Sequence, residues 1–266
     1  MVDRVSWVPE GVNVEVPSSA RIYDYLLGGG HNFEADRETA EALIRVLPVR
    51  EMARLNRAYL RRVVLELAGL GVRQFLDLGS GIPTVGNVHE VAHEVAPDSK
   101  VVYVDFEPVA ITHAELMLSG EPDVTALLGD LREPEKVVAQ ARELLDFSQP
   151  IGLLVVGVLQ FIPDSDDPWG VLSRYVESLS SGSYLALSHF TADSMPAAMA
   201  AGEKIFARTA EPITPRTRAQ VEDMLTGLEI VDPGIVFTPQ WRPETPEDVG
   251  SDPSMANLYA AVGRKP

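Results

Sequence analysis

Asp77 stands two residues ahead of Gly79-Ser80-Gly81, Asp105 closes the apolar run Val101-Val102-Tyr103-Val104, and Gly129-Asp130-Leu131 follows the run from Val124 to Leu128. Glycines directly after a strand let the backbone approach a ligand closely and aim amides at it from the N-terminus of the next helix. In a dinucleotide fingerprint a third glycine follows, but here that position is Thr84, and Asp77 would repel a pyrophosphate. The same acid can balance an ammonium group. Asp105 can accept both hydroxyls of a ribose, and Asp130 can accept from an adenine amino group. Together these residues predict an adenosyl ligand that carries positive charge, S-adenosylmethionine, with Gly79, Ser80 and Gly81 along its methionine end. The plainer alternative is three solvated strand-end carboxylates beside an ordinary turn.

Other residues could act on an acceptor. His189 and His31 are candidate bases, since an imidazole changes charge near neutral pH. Arg21, Arg57 and Arg61 could pair with a methionine carboxylate, with Arg57 the expected partner, and Tyr23 and Asp24 are expected contacts from above. His89-Glu90-Val91-Ala92-His93 spells the zinc-hydrolase pattern H-E-x-x-H. Its helix would pack along its length against the sheet, so surface histidines are the stronger expectation and no metal is assigned. Past Val156, another expected cofactor contact, Leu159-Gln160-Phe161-Ile162-Pro163-Asp164 lacks the Pro-Pro-aromatic segment with which nucleic-acid amino methylases grip a base. Gln160 reads equally well as a buried strand end.

These residues need a scaffold that gathers strand ends. Residues 20–68 carry helical spacing, interrupted by Gly28-Gly29-Gly30 and Pro48. From Gln74 onward, β-rich runs alternate with helical stretches, which calls for a parallel sheet with right-handed crossovers. Two last runs, 229–238 and 258–262, are joined by a Pro-rich segment without a helix, as in an edge hairpin. The predicted fold is therefore a Rossmann-like α/β class I methyltransferase sheet of five parallel strands plus a C-terminal antiparallel hairpin. Residues 1–70 would form an N-terminal helical cap or lid over a core at 71–266, after an irregular arm and with one helix expected to start at Val85.

The segments Ser19-Ala20-Arg21-Ile22-Tyr23-Asp24-Tyr25-Leu26-Leu27-Gly28-Gly29, Asn56-Arg57-Ala58-Tyr59-Leu60-Arg61-Arg62, Gln74 to Thr84, Val101 to Asp105 and Gly182 to His189, with Pro233-Gly234 and Trp241-Arg242-Pro243, resemble the S-adenosyl methyltransferase family once called DUF574. The likeness runs over nearly the whole chain. It implies a class I fold and S-adenosylmethionine binding but no particular acceptor. Phe106 departs from the family's usual second polar residue beside the ribose acid, which points to a change in adenine packing.

Composition narrows the remaining classes. With 39 acidic against 22 basic residues the 266-residue chain has a net charge of −17, so duplex nucleic acid and anionic membranes are poor partners. The absence of Cys removes thiol nucleophiles, Cys-based zinc sites and Fe–S clusters. Met1 to Gly11 lacks a signal-peptide layout and the longest apolar run, Ile151 to Ile162, is too short to span a bilayer, so a cytoplasmic location is expected. The resulting expectation is methyl transfer from S-adenosylmethionine to an O or N of a small molecule. The alternatives are a non-catalytic module that binds the cofactor or its product, and, more remotely, a zinc peptidase using His89 and His93.

Overall fold

Pro48 separates two helices whose apolar faces need different partners. A computed structural model describes residues 8–9, 12–84 and 86–266; Val85 and part of the expected arm lie outside that set. Helices α1 (Ser19–Leu26) and α2 (Glu34–Ile44) are followed by the 21-residue α3 (Val49–Gly69). On α3, Tyr59, Leu60, Val63 and Leu67 pack onto the sheet, whereas Val49, Met52 and Ala53 join α1 and α2 in a separate apolar cluster. One helix thus ties the first two to the sheet.

The core follows as β1 (Gln74–Leu78), α4 (Val88–Val95), β2 (Lys100–Asp105), α5 (Pro108–Met117), β3 (Val124–Leu128), α6 (Pro134–Ala141), β4 (Gly152–Val156), α7 (Pro168–Ser178), β5 (Tyr184–Phe190), α8 (Pro196–Phe206), α9 (Arg218–Asp223), β6 (Glu229–Ile230), β7 (Val236–Phe237) and β8 (Leu258–Arg264). Strand order is β3-β2-β1-β4-β5-β8-β6, with β7 also on β8. Strands β1 to β5 are parallel and β8 is antiparallel to β5. This is the expected sheet, with one local difference. The run expected as a single strand over 229–238 is broken. Glu229 and Ile230 pair with Arg264 and Gly263, while Val236 and Phe237 pair with Ala260 and Tyr259, so five residues bulge opposite two. Strand β8 is consequently buried between β5 and the broken edge.

Strand alternation decides which side chains meet a ligand. Phe75, Val101, Tyr103, Leu154 and Ala186 pack beneath α3 and α4, whereas Leu76, Val102, Leu153, Leu185 and Leu187 face the cluster under α6, α7 and α9. By the two-residue period, Asp77, Asp105, Val156 and Ser188 share the α3 side and His189 the other. No helix among the described residues is long and apolar enough to cross a membrane.

Candidate functional site

The carboxyl ends of β1, β2, β3 and β4 open into a cavity of about 480 Å³ roofed by α1, α2 and α3. It is lined by Tyr23, Arg57, Asp77, Gly79, Ser80, Gly81, Asp105, Phe106, Gly129, Asp130, Leu131 and Val156. The sequence had scattered these over more than a hundred positions. Gly79 and Gly81 turn the chain at φ 70° and 68°, a left-handed conformation costly for other residues. A Cβ at Gly79 would lie 2.2 Å from Val158 Cγ2, while one at Gly81 would meet open space.

Both buried acids resist ionisation. Burial pushes Asp77 up to about 7, with the nearby Asp105 charge adding to the effect and Arg57 opposing it. Asp105 is pushed up to about 6 by burial, although it accepts from the Glu107 amide at 2.9 Å and from Gly81 N at 2.7 Å. Two such carboxyls in one cavity suit a ligand that brings a cation and hydroxyl donors. Asp130 is held differently. Burial raises it, but the Arg132 guanidinium, 2.5 Å away, holds its carboxyl below the usual range, and Arg132 also reaches Asp166 at 3.2 Å. Phe106 is 46% exposed beside these groups, giving an apolar ring where a flat base can rest.

Of the three arginines considered, Arg57 lines the cavity and donates to the Gly86 carbonyl at 3.0 Å. Arg21 is instead buried, donating to Asp36 at 2.9 Å, Glu107 at 3.0 Å and the Val16 carbonyl at 2.5 Å. Arg61 pairs with Glu94 on the surface. Asp24 does not reach the cavity; it accepts from the His31 amide at 2.9 Å and Asn32 Nδ2 at 2.8 Å, fastening the triple-glycine turn.

Neither expected base lines the cavity. His189 is fully buried, its Nδ1 2.8 Å from the Phe190 carbonyl and its Nε2 2.8 Å from Arg216 Nη1. Burial, reinforced by the Arg216 charge, pushes it down to about 3, so it stays neutral with both nitrogens engaged. The His31 ring lies against His113 with centroids 3.7 Å apart and planes tilted by 37°. His89 Nδ1 sits 2.8 Å from the Tyr103 hydroxyl and His93 Nε2 2.9 Å from the Ser99 carbonyl. Among the described residues no group of three or more His, Asp or Glu could hold a metal ion.

The cavity also holds residues that the sequence reading left unassigned or missed. Asn56 accepts from the Ser188 hydroxyl at 2.5 Å and donates to the Tyr23 hydroxyl at 3.3 Å, which in turn donates to the Ala53 carbonyl at 3.1 Å. Its signal was a polar residue in register with Met52, Tyr59 and Val63 on the buried stripe of α3. Gln160 donates through Nε2 to the Gly157 carbonyl at 2.7 Å, and Glu211 accepts from Ser19 N at 2.7 Å with its carboxyl raised by burial. Nothing local in sequence marks Glu211, whose neighbour Ala210 bonds the Pro17 carbonyl through its amide at 3.0 Å.

A sheet in this order, with acids at successive strand ends and a glycine turn after β1, has the architecture of class I S-adenosylmethionine-dependent methyltransferases. The chain belongs to the S-adenosyl methyltransferase family, whose profile matches residues 5–266. A DUF574 family protein of Streptomyces avermitilis is 38% identical, with a TM-score of 0.91 over 95% of this chain and 99% of that one. A candidate methyltransferase from Thermobifida fusca is also 38% identical, with a TM-score of 0.91 over 98% of this chain and 99% of that one. An O-methyltransferase family protein from Burkholderia thailandensis, 14% identical with a TM-score of 0.52 over 82% of this chain and 60% of that one, shares the fold alone. No protein of curated function matches the sequence. The cofactor is S-adenosylmethionine.

Proposed function

We propose that the protein transfers a methyl group from S-adenosylmethionine to an oxygen or nitrogen of a small-molecule acceptor. The observation that carries this reading is a single cavity running from the strand-end acids and the Gly79–Gly81 turn to a chamber beneath α1, α2 and the start of α3. In this reading those elements act as the cap. Asp77 holds the ammonium group, Arg57 the methionine carboxylate and Asp105 the ribose, while Gly79, Ser80, Gly81 and Val156 contact the methionine arm. Phe106 and Leu131 enclose the adenine, Gly129 lets the backbone approach it, and Asp130, steadied by Arg132, meets its edge. Tyr23 joins the pocket at the reacting end.

When bound, S-adenosylmethionine would supply a methyl group on a cationic sulfur that leaves as a neutral thioether as the acceptor's lone pair takes the methyl, the acceptor's proton passing to bulk solvent. The chain contributes chiefly position and dryness. None of its five histidines lines the cavity, so alignment by Tyr23, Asn56 and Gln160 takes precedence over base catalysis. The net charge of −17 supports a small acceptor over a nucleic acid.

Calorimetry with S-adenosylmethionine and S-adenosylhomocysteine, followed by a mass-resolved methyl-transfer screen over metabolite pools, tests the reading. Asp105→Ala should weaken cofactor binding at least tenfold. Binding that is indifferent to this substitution would refute the assignment of the site. Tight binding with no methylated product would favour the non-catalytic module.

A further inference from the structure

The cavity is divided in character. Of the charged side chains that line it, Arg57 interacts electrostatically with Asp77, Arg132 forms ion pairs with Asp130 and Asp166, and Glu211, which repels the Asp105 carboxylate, accepts from Ser19 N at 2.7 Å where α1 begins. The remainder is walled by Ile22, Leu26, Leu43, Met52, Phe161 and Phe206. These belong to, or pack against, the apolar cluster shared by the cap helices, α8 and the start of β8. Phe161 and Phe206 meet edge to face, with centroids 6.0 Å apart and planes inclined at 61°.

Between the halves lie Tyr23, Asn56 and Gln160. Only an amide nitrogen can donate to a carbonyl, so the bond from Gln160 Nε2 to Gly157 O fixes which way the carboxamide faces. Its Oε1 is then a buried acceptor with no partner in a residue that is 2% exposed and forms part of the cavity wall. An unmade bond of this kind is costly unless a ligand or an ordered water supplies the donor.

We propose that the acceptor is an uncharged, flat, largely apolar molecule of the phenol or N–H heteroarene class, bearing one reactive O–H or N–H. Its ring system occupies the chamber beside Phe161 and Phe206, and its single donor meets the Tyr23–Asn56–Gln160 rim. A sugar or amino acid would strand several polar groups against these apolar walls, and a cation would lose its hydration against them. Interiors are otherwise close-packed, so an apolar chamber of this kind is a binding feature. The proposal rests on the methyl-transfer reading above, but its test does not require turnover.

The protein is titrated with N-phenyl-1-naphthylamine, a neutral probe that brightens in apolar surroundings, while S-adenosylhomocysteine affinity is measured separately by calorimetry. Saturable one-to-one binding is expected, weakened at least tenfold by Phe161→Glu with S-adenosylhomocysteine affinity held within twofold. In the unmodified protein, neutral 1-naphthol should displace the probe at least tenfold better than 1-naphthylmethylammonium, a cation of the same shape. Equal displacement by the two, or no saturable probe binding, would overturn the acceptor class. Failure to bind S-adenosylhomocysteine would instead refute the donor site, leaving the probe result to stand independently.

Discussion

Asp77 and Asp105 should make cofactor binding a proton-releasing event. Their carboxyls are pushed by burial up to about 7 and about 6, against an unperturbed value near ~3.9. A ligand that offers an ammonium to Asp77 binds its ionised form. By the Henderson–Hasselbalch relation with a pKa of about 7, Asp77 is roughly half ionised at pH 7 and about one part in a hundred at pH 5. S-adenosylmethionine affinity should therefore fall roughly fiftyfold between those pH values through Asp77 alone. Asp105 contributes up to a further factor of about ten if the ribose hydroxyls also demand an ionised partner. Isothermal titration near pH 6 in buffers of differing ionisation enthalpy should report release of about one proton. In Asp77→Asn, affinity should drop and most of the pH slope should vanish. Affinity constant within threefold from pH 5 to 7, with buffer-independent heat, would refute the assignment of Asp77 to the ammonium group.

The same carboxyls set the sign of the ligand-free stability profile. The unfolded chain sheds these protons near pH ~4 and the folded one keeps them to about 6 and about 7, so stability should fall as pH rises through that window. Asp77→Asn should correspondingly stabilise the ligand-free protein at pH 8, by on the order of 1–4 kcal/mol in urea unfolding, and a loss of stability there would contradict this. Arg21→Met leaves Asp36 and Glu107 buried without their cation, and should cost about 3–5 kcal/mol by the same assay. Gly79→Ala drives a methyl into Val158 from a left-handed backbone, so S-adenosylhomocysteine binding should be lost. Partial recovery is expected in the double variant with Val158→Ala. His189→Ala should lower Tm and leave S-adenosylhomocysteine affinity within twofold; a selective loss of turnover with Tm unchanged would reinstate it as a base.

What the sequence made legible was local. The turn after β1, the acid closing β2 and the Gly-Asp pair after β3 each sit at a strand end, so finding the strands found residues that line the cavity. Alternation also held information about His189, which shares parity with Leu185 and Leu187 and so points away from α3. Its burial against Arg216, 27 residues later, had no local signature. The split of the last expected strand was hidden for a similar reason. Val231 N still bonds the Val262 carbonyl at 2.9 Å, so the run keeps strand-like residues while Asp232, Pro233 and Gly234 loop out. Glu211 enters the cavity through contacts with the first helix, a tertiary event that spacing along the chain could not reveal.

The parts proposed to hold the cofactor and the parts that would choose the acceptor come from different kinds of sequence. Strand-end acids and glycines recur at the ligand end of such sheets, so they form recognisable motifs. The chamber is built from Ile22, Leu26, Leu43, Met52, Phe161 and Phe206, ordinary core residues whose types alone announce nothing. They become selective because α1 and α2 are held in place by polar ties elsewhere. Arg21 fastens α1 to α2 through Asp36 and to the β2–α5 junction through Glu107, and Glu211 binds the amide that opens α1. Glu107 is two residues from Asp105 and donates its amide to that carboxylate. The anchor of the cap and the proposed ribose acid therefore share one short turn, so loosening the cap at Arg21 should weaken cofactor binding as well as stability. A partner for that test is Phe206→Leu, which alters the chamber and leaves the turn intact: it should change acceptor preference while S-adenosylhomocysteine affinity stays within twofold. If Arg21→Met keeps full cofactor affinity in the folded protein, the turn does not couple the two.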